Sequence, residues 1–501
     1  RHDPYSDVAL VRADGTGEVV NLTQSGYMSG APRWSLDGNA LLFRTERYGM
    51  RNHASWGSLD DVLMVFLNRK AYDDYCLNKE DYELEQEKAA KKDEPAKPEG
   101  KKKKKKDDAE KEAKEETKDI VVELDGIDER IVRLTPASAN LADALLGKDG
   151  EMLYYMAAFE GGYDLWQLDL RKHETKLLKK MDAGWTTLAT NKDASTLFAL
   201  SGRSMQKMSL PSGNLEPVTY RAELEVDLAA ERAAMFDHVC RQEQQRFYRT
   251  DMHGVDWPML TAAYRRFLPH IDNNHDFAEL LSELLGELNV SHTGCRYRPA
   301  ASGPSTPALG LLFSWTHTGD GLLVDEVLAK SPFDNAQSRV WAGHVLEKID
   351  GTALTDTTTL SQLLTGKTGR KVLASFLDPA TGQRWDEVVR PIAQAAQDRL
   401  LYRRWVKQRA ADVERWSGGR LGYVHIESMD DDSFRNVYSD ILGKYNSCEG
   451  IVIDTRFNGG GRLHEDIEVL FSGQKYFTQV IRGREACDMP SRRWNKPSIM
   501  L

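Results

Sequence analysis

The chain has 501 residues, too many for one ordinary domain, and roughly three or four domains are expected. It is 41% hydrophobic and 29% charged, enough apolar content for several cores, and no apolar run approaches the roughly eighteen residues of a membrane span. The net charge of −10 argues against nucleic acid as the main partner. Five scattered cysteines without a CxxC pair indicate neither a disulfide framework nor a zinc site, and no metal or cofactor is predicted.

Residues 1–219 carry a repeat that predicts a partial β-propeller. Short Asp-Gly or Asn-Lys-Asp turns precede apolar strands, and two of these marks, Asp149 and Asp193, lie about 44 residues apart, the period of a four-stranded blade. About three blades and the end of another are visible, whereas a propeller closes with about four to eight. Further blades are therefore expected upstream of Arg1.

One blade is interrupted by a charged insertion at residues 79–118. This stretch is almost entirely Lys, Glu, Asp and Ala, with an unbroken run of lysines at 101–106. The two signs of charge are nearly balanced and there is nothing apolar to bury, which predicts a disordered or loosely helical, solvated segment. An arm that binds nucleic acid or membrane is the alternative, disfavoured because neighbouring acids neutralise the lysines.

Three further segments follow. Residues 220–300 show three helical patterns and end in the motif GELNVSH. Residues 305–393 have the short strands and single short helix of a separate β-rich unit. Residues 394–501 begin with an amphipathic connecting helix and continue as an α/β segment.

The most informative stretch lies in that α/β segment. Residues 451–453 are a β-branched run that predicts a buried strand, followed by an asparagine, then Gly459, Gly460 and Gly461, and then a helical pattern from His464. Glycines permit a sharp turn and close approach of a bound group, and a helix N-terminus presents free N–H groups. Such a turn can hold a phosphate or an oxyanion. The alternative is a tight strand-to-helix turn without a ligand. The glycine spacing is not that of the dinucleotide fingerprint.

Ser291 and His292 are the best candidates for a base and its neighbour. Histidine titrates near neutral pH and takes a proton from a serine hydroxyl. Most of the 12 histidines are expected to be surface or packing residues. His464 and Glu465 lack the second histidine of an HExxH zinc motif, so a place on a helix surface is favoured for them.

The order of these segments resembles the tricorn-type serine peptidases, relatives of the carboxy-terminal processing peptidases. The motifs that carry the resemblance lie at 251–257, 286–292, 343–351 and 454–461. The resemblance implies a multidomain fold: a partial β-propeller, a helical segment, a PDZ-like β-rich domain and an α/β catalytic-core segment. The PDZ-like domain would be inserted between the two parts of the catalytic core.

The resemblance also implies a serine-type peptidase that cuts oligopeptides or unfolded polypeptides by acyl transfer. His292 matches the general base, and Ser291 matches the hydroxyl that supports the charge relay. Gly461 matches the residue whose backbone N–H forms half of the oxyanion hole, a donor typically worth about 10²–10³ in rate. Acyl transfer needs base and oxyanion donor near one carbonyl, so we expect His292 and Gly461 to line one cleft.

Substrate contacts are implied at two places. Gly459 and Gly460 would line the substrate beside the oxyanion hole, and Leu309, Gly310 and Leu311 would form the carboxylate-binding loop of the PDZ-like domain. The implied partners are peptide substrates and further copies of the chain in a homo-oligomer. The implied location is the cytoplasm, or the periplasm if a leader was lost upstream.

Two departures from the family pattern matter. The family's nucleophilic serine follows a strand like the one at 498–501, so we expect it beyond Leu501; Ser498 lies before that strand and is not its equivalent. Archaeal members read basic side chains through an acidic residue in the region matching 476–481, which has no acid here. The rival interpretation is a non-enzymatic scaffold that holds peptides through the propeller and PDZ-like domain.

Overall fold

The computed structural model describes most of the chain: residues 6–53, 57–92, 120–148, 150–299 and 303–501. Most of the charged insertion, residues 93–118, and the repeat mark Asp149 lie outside the described residues. The chain divides into two compact units, Arg1–Tyr220 with Ala410–Leu501, and Arg221–Arg409. In the described ranges, no helix combines the length and apolar character needed to cross a membrane.

The first part of the first unit consists of antiparallel sheets whose neighbouring strands follow one another along the chain. A two-stranded pair comes first, and three four-stranded sheets, β3–β6, β7–β10 and β11–β14, follow. These are the repeated units that the turn marks predict; how many complete a propeller stays a prediction. The strands are β1 (Ala9–Leu10), β2 (Val20–Asn21), β3 (Ser29–Trp34), β4 (Ala40–Thr45), β5 (Asp61–Phe66), β6 (Ile131–Arg133), β7 (Asn140–Leu146), β8 (Met152–Ala158), β9 (Tyr163–Asp169), β10 (Glu174–Ala183), β11 (Thr186–Thr190), β12 (Thr196–Ser201), β13 (Ser204–Ser209) and β14 (Glu216–Pro217).

One buried carboxylate connects the three four-stranded sheets. Asp143 on β7 accepts a hydrogen bond from the guanidinium of Arg33 on β3 at 2.6 Å. The same carboxylate oxygen accepts the backbone N–H of Leu188 on β11 at 2.8 Å. A buried charge is stable only when it is paired and hydrogen-bonded. Asp143 therefore fixes the first strands of all three sheets against one another.

Helix α1 (Arg69–Cys76) precedes the charged insertion, and helix α2 (Lys79–Lys92) forms its first part. Residues 79–92 of the insertion are therefore helical. Arg171 anchors this region: it pairs with Glu151 at 2.6 Å and donates to the carbonyls of Asp74 and Tyr75 at 2.8 Å. Its guanidinium lies 3.9 Å from the ring centroid of Tyr82, so the start of α2 packs on the second four-stranded sheet.

The second unit begins with a helical segment and continues as a small sheet. The helices are α3 (Leu228–Arg246), α4 (Trp257–Arg265) and α5 (Asn274–Gly286). The sheet has the strand order β15-β16-β17-β19-β20, with β18 paired to β17. Its elements are β15 (Leu311–Phe313), β16 (Leu322–Val327), β17 (Val345–Ile349), β18 (Thr352–Ala353), α6 (Leu360–Leu364), β19 (Val372–Leu377) and β20 (Arg384–Val389), and the connecting helix is α7 (Gln394–Ser417).

The α/β segment of the first unit is built on a short parallel sheet with the order β21-β22-β25. Its core is formed by aliphatic residues of β21 and β22 and by the inner faces of α8 and α9. Both elements that flank the glycines occur where the pattern predicts them. The bounds are β21 (Leu421–His425), α8 (Asp431–Ser439), β22 (Gly450–Asp454), α9 (His464–Ser472), β23 (Phe477–Ile481), β24 (Arg484–Met489) and β25 (Ser498–Met500).

We expect Asp143→Ala to lower the thermal midpoint of unfolding, because the buried N–H of Leu188 and the guanidinium of Arg33 lose their shared acceptor. An unsatisfied buried group costs about 1–3 kcal/mol. Differential scanning calorimetry of the whole chain measures the change. The control is Asp73→Ala, which removes an exposed carboxylate from α1. Equal midpoints for the two variants would contradict the role given to Asp143.

Candidate active site

The carboxyl end of β22 is fixed by Asp454, whose side chain is fully buried. Its carboxylate accepts the hydroxyl of Tyr423 on β21 at 2.7 Å. It also accepts two hydrogen bonds from Arg456, one from Nη2 of the guanidinium at 2.6 Å and one from the backbone N–H at 3.0 Å. Burial alone would raise the pKa of Asp454, but these hydrogen bonds outweigh it and hold the pKa at about 2. The first two charged residues of the DTRFNGGG motif thus bind each other and set the direction of the turn.

The turn is then closed by Asn458. Its side-chain amide donates to the carbonyl of Ile426 at 2.9 Å, and its side-chain oxygen accepts the N–H of Gly460 at 2.7 Å. Phe457 has a left-handed φ of 67°, and its ring is 87% exposed. The N–H of Gly460 is therefore used inside the turn.

Gly461 occupies a place that no other residue fits. Its φ is +142°, and a Cβ atom built on it would lie 2.5 Å from the Cβ of Met429 and 2.8 Å from the Met429 carbonyl oxygen. The two residues also form an isolated parallel bridge, just before α8. Gly459, in contrast, has open space around the position of a Cβ. The last glycine is thus required by packing, whereas the first is not.

The predicted base lies in an exposed loop after α5. Ser291 and His292 are both exposed, and His292 has a left-handed φ of 67°. The chain before the loop is held by Leu288, which is completely buried. The hydroxyl of Thr293 donates to the carbonyl of Val290 at 3.0 Å, which closes the loop. His292 belongs to the second compact unit and Gly461 to the first, so their convergence on one cleft stays a prediction.

A second histidine supports this loop and has no role in the sequence interpretation. Nδ1 of His253 lies 3.3 Å from the carbonyl oxygen of Leu288, and its Nε2 contacts the hydroxyl of Tyr248. The indole of Trp257 donates to the carbonyl of Cys240 at 3.1 Å and ties α4 to α3. Residues 251–257 are one of the motifs that carry the family resemblance, but no spacing rule links His253 to a carbonyl 35 positions away.

The predicted carboxylate loop precedes the terminal strand of the small sheet. Leu309 and Leu311 are buried, and Gly310 between them has a φ of +70°. A Cβ atom on Gly310 would lie 2.4 Å from the Cβ of Ser331, so only glycine fits. Its carbonyl accepts the N–H of Leu328 at 3.0 Å. The loop therefore has a fixed backbone path between two buried leucines.

We expect Gly461→Ala to lower the free energy of unfolding by roughly 1–3 kcal/mol, because a Cβ at this position meets Met429 and L-residues avoid this φ. Gly459→Ala is the matched control and should change it by less than about 0.5 kcal/mol. Urea titrations monitored by tryptophan fluorescence give both values. Two variants of equal stability would show that the turn adapts to a side chain.

Asp454 gives a pH-dependent prediction. Its folded pKa of about 2 lies below the ordinary value of 3.8, so the ionised carboxylate stabilises the fold fully above about pH 4 and this contribution is lost as the pH falls towards 2. Asp454→Asn should therefore be less stable than the parent near neutral pH, and the difference should shrink in acid. Urea titrations at several pH values measure it, with exposed Asp432→Asn as control. A difference that is constant with pH would be contrary to this account.

Comparison with known proteins gives the family context of these residues. Residues 228–286 match the family model described as tricorn protease C1 domain, and residues 420–501 match peptidase family S41. Tricorn protease homolog 1 of Streptomyces coelicolor is 32% identical over 254 residues, which cover 49% of this chain and 23% of that protein. The putative tricorn-like protease C-terminal subunit of Sulfurisphaera tokodaii is 22% identical over 429 residues, covering 77% of this chain and 47% of that protein.

The fold is also similar to a solved structure. The crystal structure of the tricorn protease aligns with a TM-score of 0.72 at 15% identity, over 100% of this chain and 48% of that one. At this identity the alignment shows a shared fold, and the chain spans less than half the length of each of these three proteins. The resemblance predicted from the motifs is confirmed: the chain is similar to tricorn proteases in sequence and in fold, and two of its segments match the tricorn C1 and peptidase family S41 models.

Proposed function

We propose that this chain is part of a serine-type peptidase that cuts oligopeptides or unfolded polypeptides through an acyl-enzyme intermediate. The observation that carries the proposal is the glycine turn that ends at Gly461. It stands at the carboxyl end of β22 in the segment that matches peptidase family S41, and its last position accepts glycine alone. Ligands of α/β sheets commonly bind at the carboxyl ends of the strands.

The proposed roles follow the resemblance residue by residue. A serine beyond Leu501 attacks the peptide carbonyl, and His292 takes the proton from its hydroxyl. The backbone N–H of Gly461 donates to the oxygen that becomes negative in the tetrahedral intermediate. His292 then gives the proton to the leaving amine, and water releases the acyl group by the same steps. Ser291 supports His292 as the neighbouring hydroxyl of the relay.

Substrate contacts are proposed at the same two loops. The N–H of Gly460 is bonded to Asn458, so Gly459 and Gly460 serve mainly by leaving room for the peptide backbone. Leu309, Gly310 and Leu311 bind the carboxylate of a peptide end in the PDZ-like domain. The filtering role of the propeller, the homo-oligomer and the cytoplasmic location rest on the resemblance alone.

Activity of the protein extended beyond Leu501 tests the proposal. We expect a fluorophosphonate probe to label the new serine, and His292→Ala to slow labelling and peptide hydrolysis by at least about a thousandfold, because members of a relay act as a unit. His270→Ala, which removes an exposed histidine from the same helical segment, is the control. The rates come from gel fluorescence and from a quenched peptide substrate.

Three outcomes would count against this assignment. Labelling of the His292→Ala variant at the same rate as the parent would show that His292 is not the base. Labelling of the 501-residue chain that is lost in Ser291→Ala would move the nucleophile to Ser291. Absence of labelling in the extended protein would favour the non-enzymatic peptide scaffold.

A further inference from the structure

The central amide of the carboxylate loop already has a partner within the chain. The backbone N–H of Gly310 donates to the side-chain oxygen Oε1 of Gln397 at 2.9 Å. Gln397 lies in the first turn of α7, 87 positions further along the chain. A glutamine side-chain oxygen is a planar sp² acceptor, like one oxygen of a carboxylate.

A peptide carboxylate needs this same donor. The path of the loop is fixed by the left-handed Gly310, which has no room for a side chain beside Ser331. The loop cannot turn this N–H elsewhere without breaking its packing, because Leu309 and Leu311 on either side are both buried. A backbone N–H has one hydrogen and makes one well-aligned bond of about 2.9 Å. Gln397 and a carboxylate thus exclude each other at Gly310.

The first turn of α7 is largely exposed, and the chain just before it is bonded to the loop at Ile392, whose N–H and carbonyl pair with Ala308 at 2.9 and 2.8 Å. Gln394, Ala395 and Ala396 are exposed, and Gln397 is half-buried. The helix is held further along, where Leu400 is buried and Arg404 pairs with Glu326 of β16 at 2.7 Å. Helix ends open at low cost because their first N–H groups have no partners inside the helix. Loss of one turn would leave the later anchors in place.

We propose that Gln397 is an internal competitor for the carboxylate loop, and that the loop binds the free carboxylate of a peptide C-terminus only when the first turn of α7 releases Gly310. This inference rests on the proposed function of residues 309–311. The ligand is a peptide end with a free carboxylate, because the group that Gly310 offers is a backbone N–H donor. A charged carboxylate makes a stronger hydrogen bond than a neutral amide oxygen, so the ligand can displace Gln397.

The competitor has a consequence for affinity. The observed dissociation constant equals the intrinsic one divided by the fraction of molecules in which Gly310 is free. Removal of the glutamine oxygen raises the fraction of molecules in which the Gly310 N–H is free, without changing any residue of the loop. Peptide binding also shortens α7, the helix that leads directly along the chain to β21 of the α/β segment.

Fluorescence anisotropy on the whole chain tests the inference. The probe is a fluorescein-labelled hexapeptide that ends in valine with a free carboxylate, compared with the same peptide as a C-terminal amide. We expect Gln397→Ala to bind the free acid about three- to tenfold more tightly than the parent, the range that corresponds to one net hydrogen bond. Gln394→Ala is the matched control, since that side chain bonds to Asp398 of its own helix, and it should bind as the parent does. The peptide with a C-terminal amide should not bind to the parent or to either variant.

A second variant keeps the test decisive if Gln397→Ala perturbs the fold. Gln397→Glu keeps the acceptor and adds a charge, so it should hold Gly310 more firmly and weaken binding below that of the parent. Hydrogen exchange gives an independent measurement: the Gly310 amide should exchange faster in Gln397→Ala and become protected again when the free-acid peptide is added.

The outcomes separate the two levels of the argument. Equal affinities for the parent, Gln397→Ala and Gln397→Glu would overturn the competition but leave the carboxylate loop intact. Weaker binding by Gln397→Ala would overturn it as well, because Gln397 would then support the loop. Failure of every variant to bind the free-acid peptide would overturn both the competition and the proposed role of residues 309–311, while the fluorophosphonate test of the catalytic residues would be unaffected.

Discussion

The buried carboxylate of Asp454 is the constraint on which the candidate site depends. It ends the central strand of the parallel sheet at a point where three groups, the Tyr423 hydroxyl and the backbone and guanidinium of Arg456, must converge on it. Burial of a carboxylate is tolerable only with such partners. With Arg456 committed, its carbonyl is in turn fixed 2.8 Å from Nε2 of His425 on the neighbouring strand. The chain can then leave the sheet in one direction only, towards Asn458 and the glycines.

The DTRFNGGG motif contains two kinds of residue. Asp454, Arg456 and Asn458 bind one another or the backbone of the sheet, so their function is to hold the turn. Position 461 accepts only glycine, because Met429 occupies the space that a side chain would need. The path of the turn is therefore set by contacts within the chain, which suits the oxyanion role proposed for Gly461, since a donor that must reorganise during the reaction stabilises less.

The local pattern predicts most of the elements. The β-branched run at 451–453 is part of β22, and helix α9 begins at His464, because strand and helix periods are properties of neighbouring residues. Val226, at the start of the first helical pattern in residues 220–300, lies before the helix that the structure shows. The side chain of Asp227 accepts the N–H groups of Ala229 and Ala230 and starts α3 after itself.

Contacts between distant residues could not be predicted in the same way. Tyr423 reaches Asp454 across 31 positions and Gln397 reaches Gly310 across 87. Such pairs are set by the register of strands and the docking of helices, which no short window of sequence contains. The resemblance supplied candidate roles for His292 and Gly461 through their motifs, but it gave no role to His253 or Met429, which contribute hydrogen bonding and packing to the neighbouring motif residues.

Repeat architectures commonly gain and lose units by duplication, since each unit contacts only its neighbours. Asp143 breaks that independence, because its carboxylate needs Arg33 from the sheet before and Leu188 from the sheet after. A unit inserted on either side would separate the charge from one partner inside the core. The order of the three sheets is thus tied to one buried carboxylate, because any other order costs Asp143 one of these two hydrogen bonds.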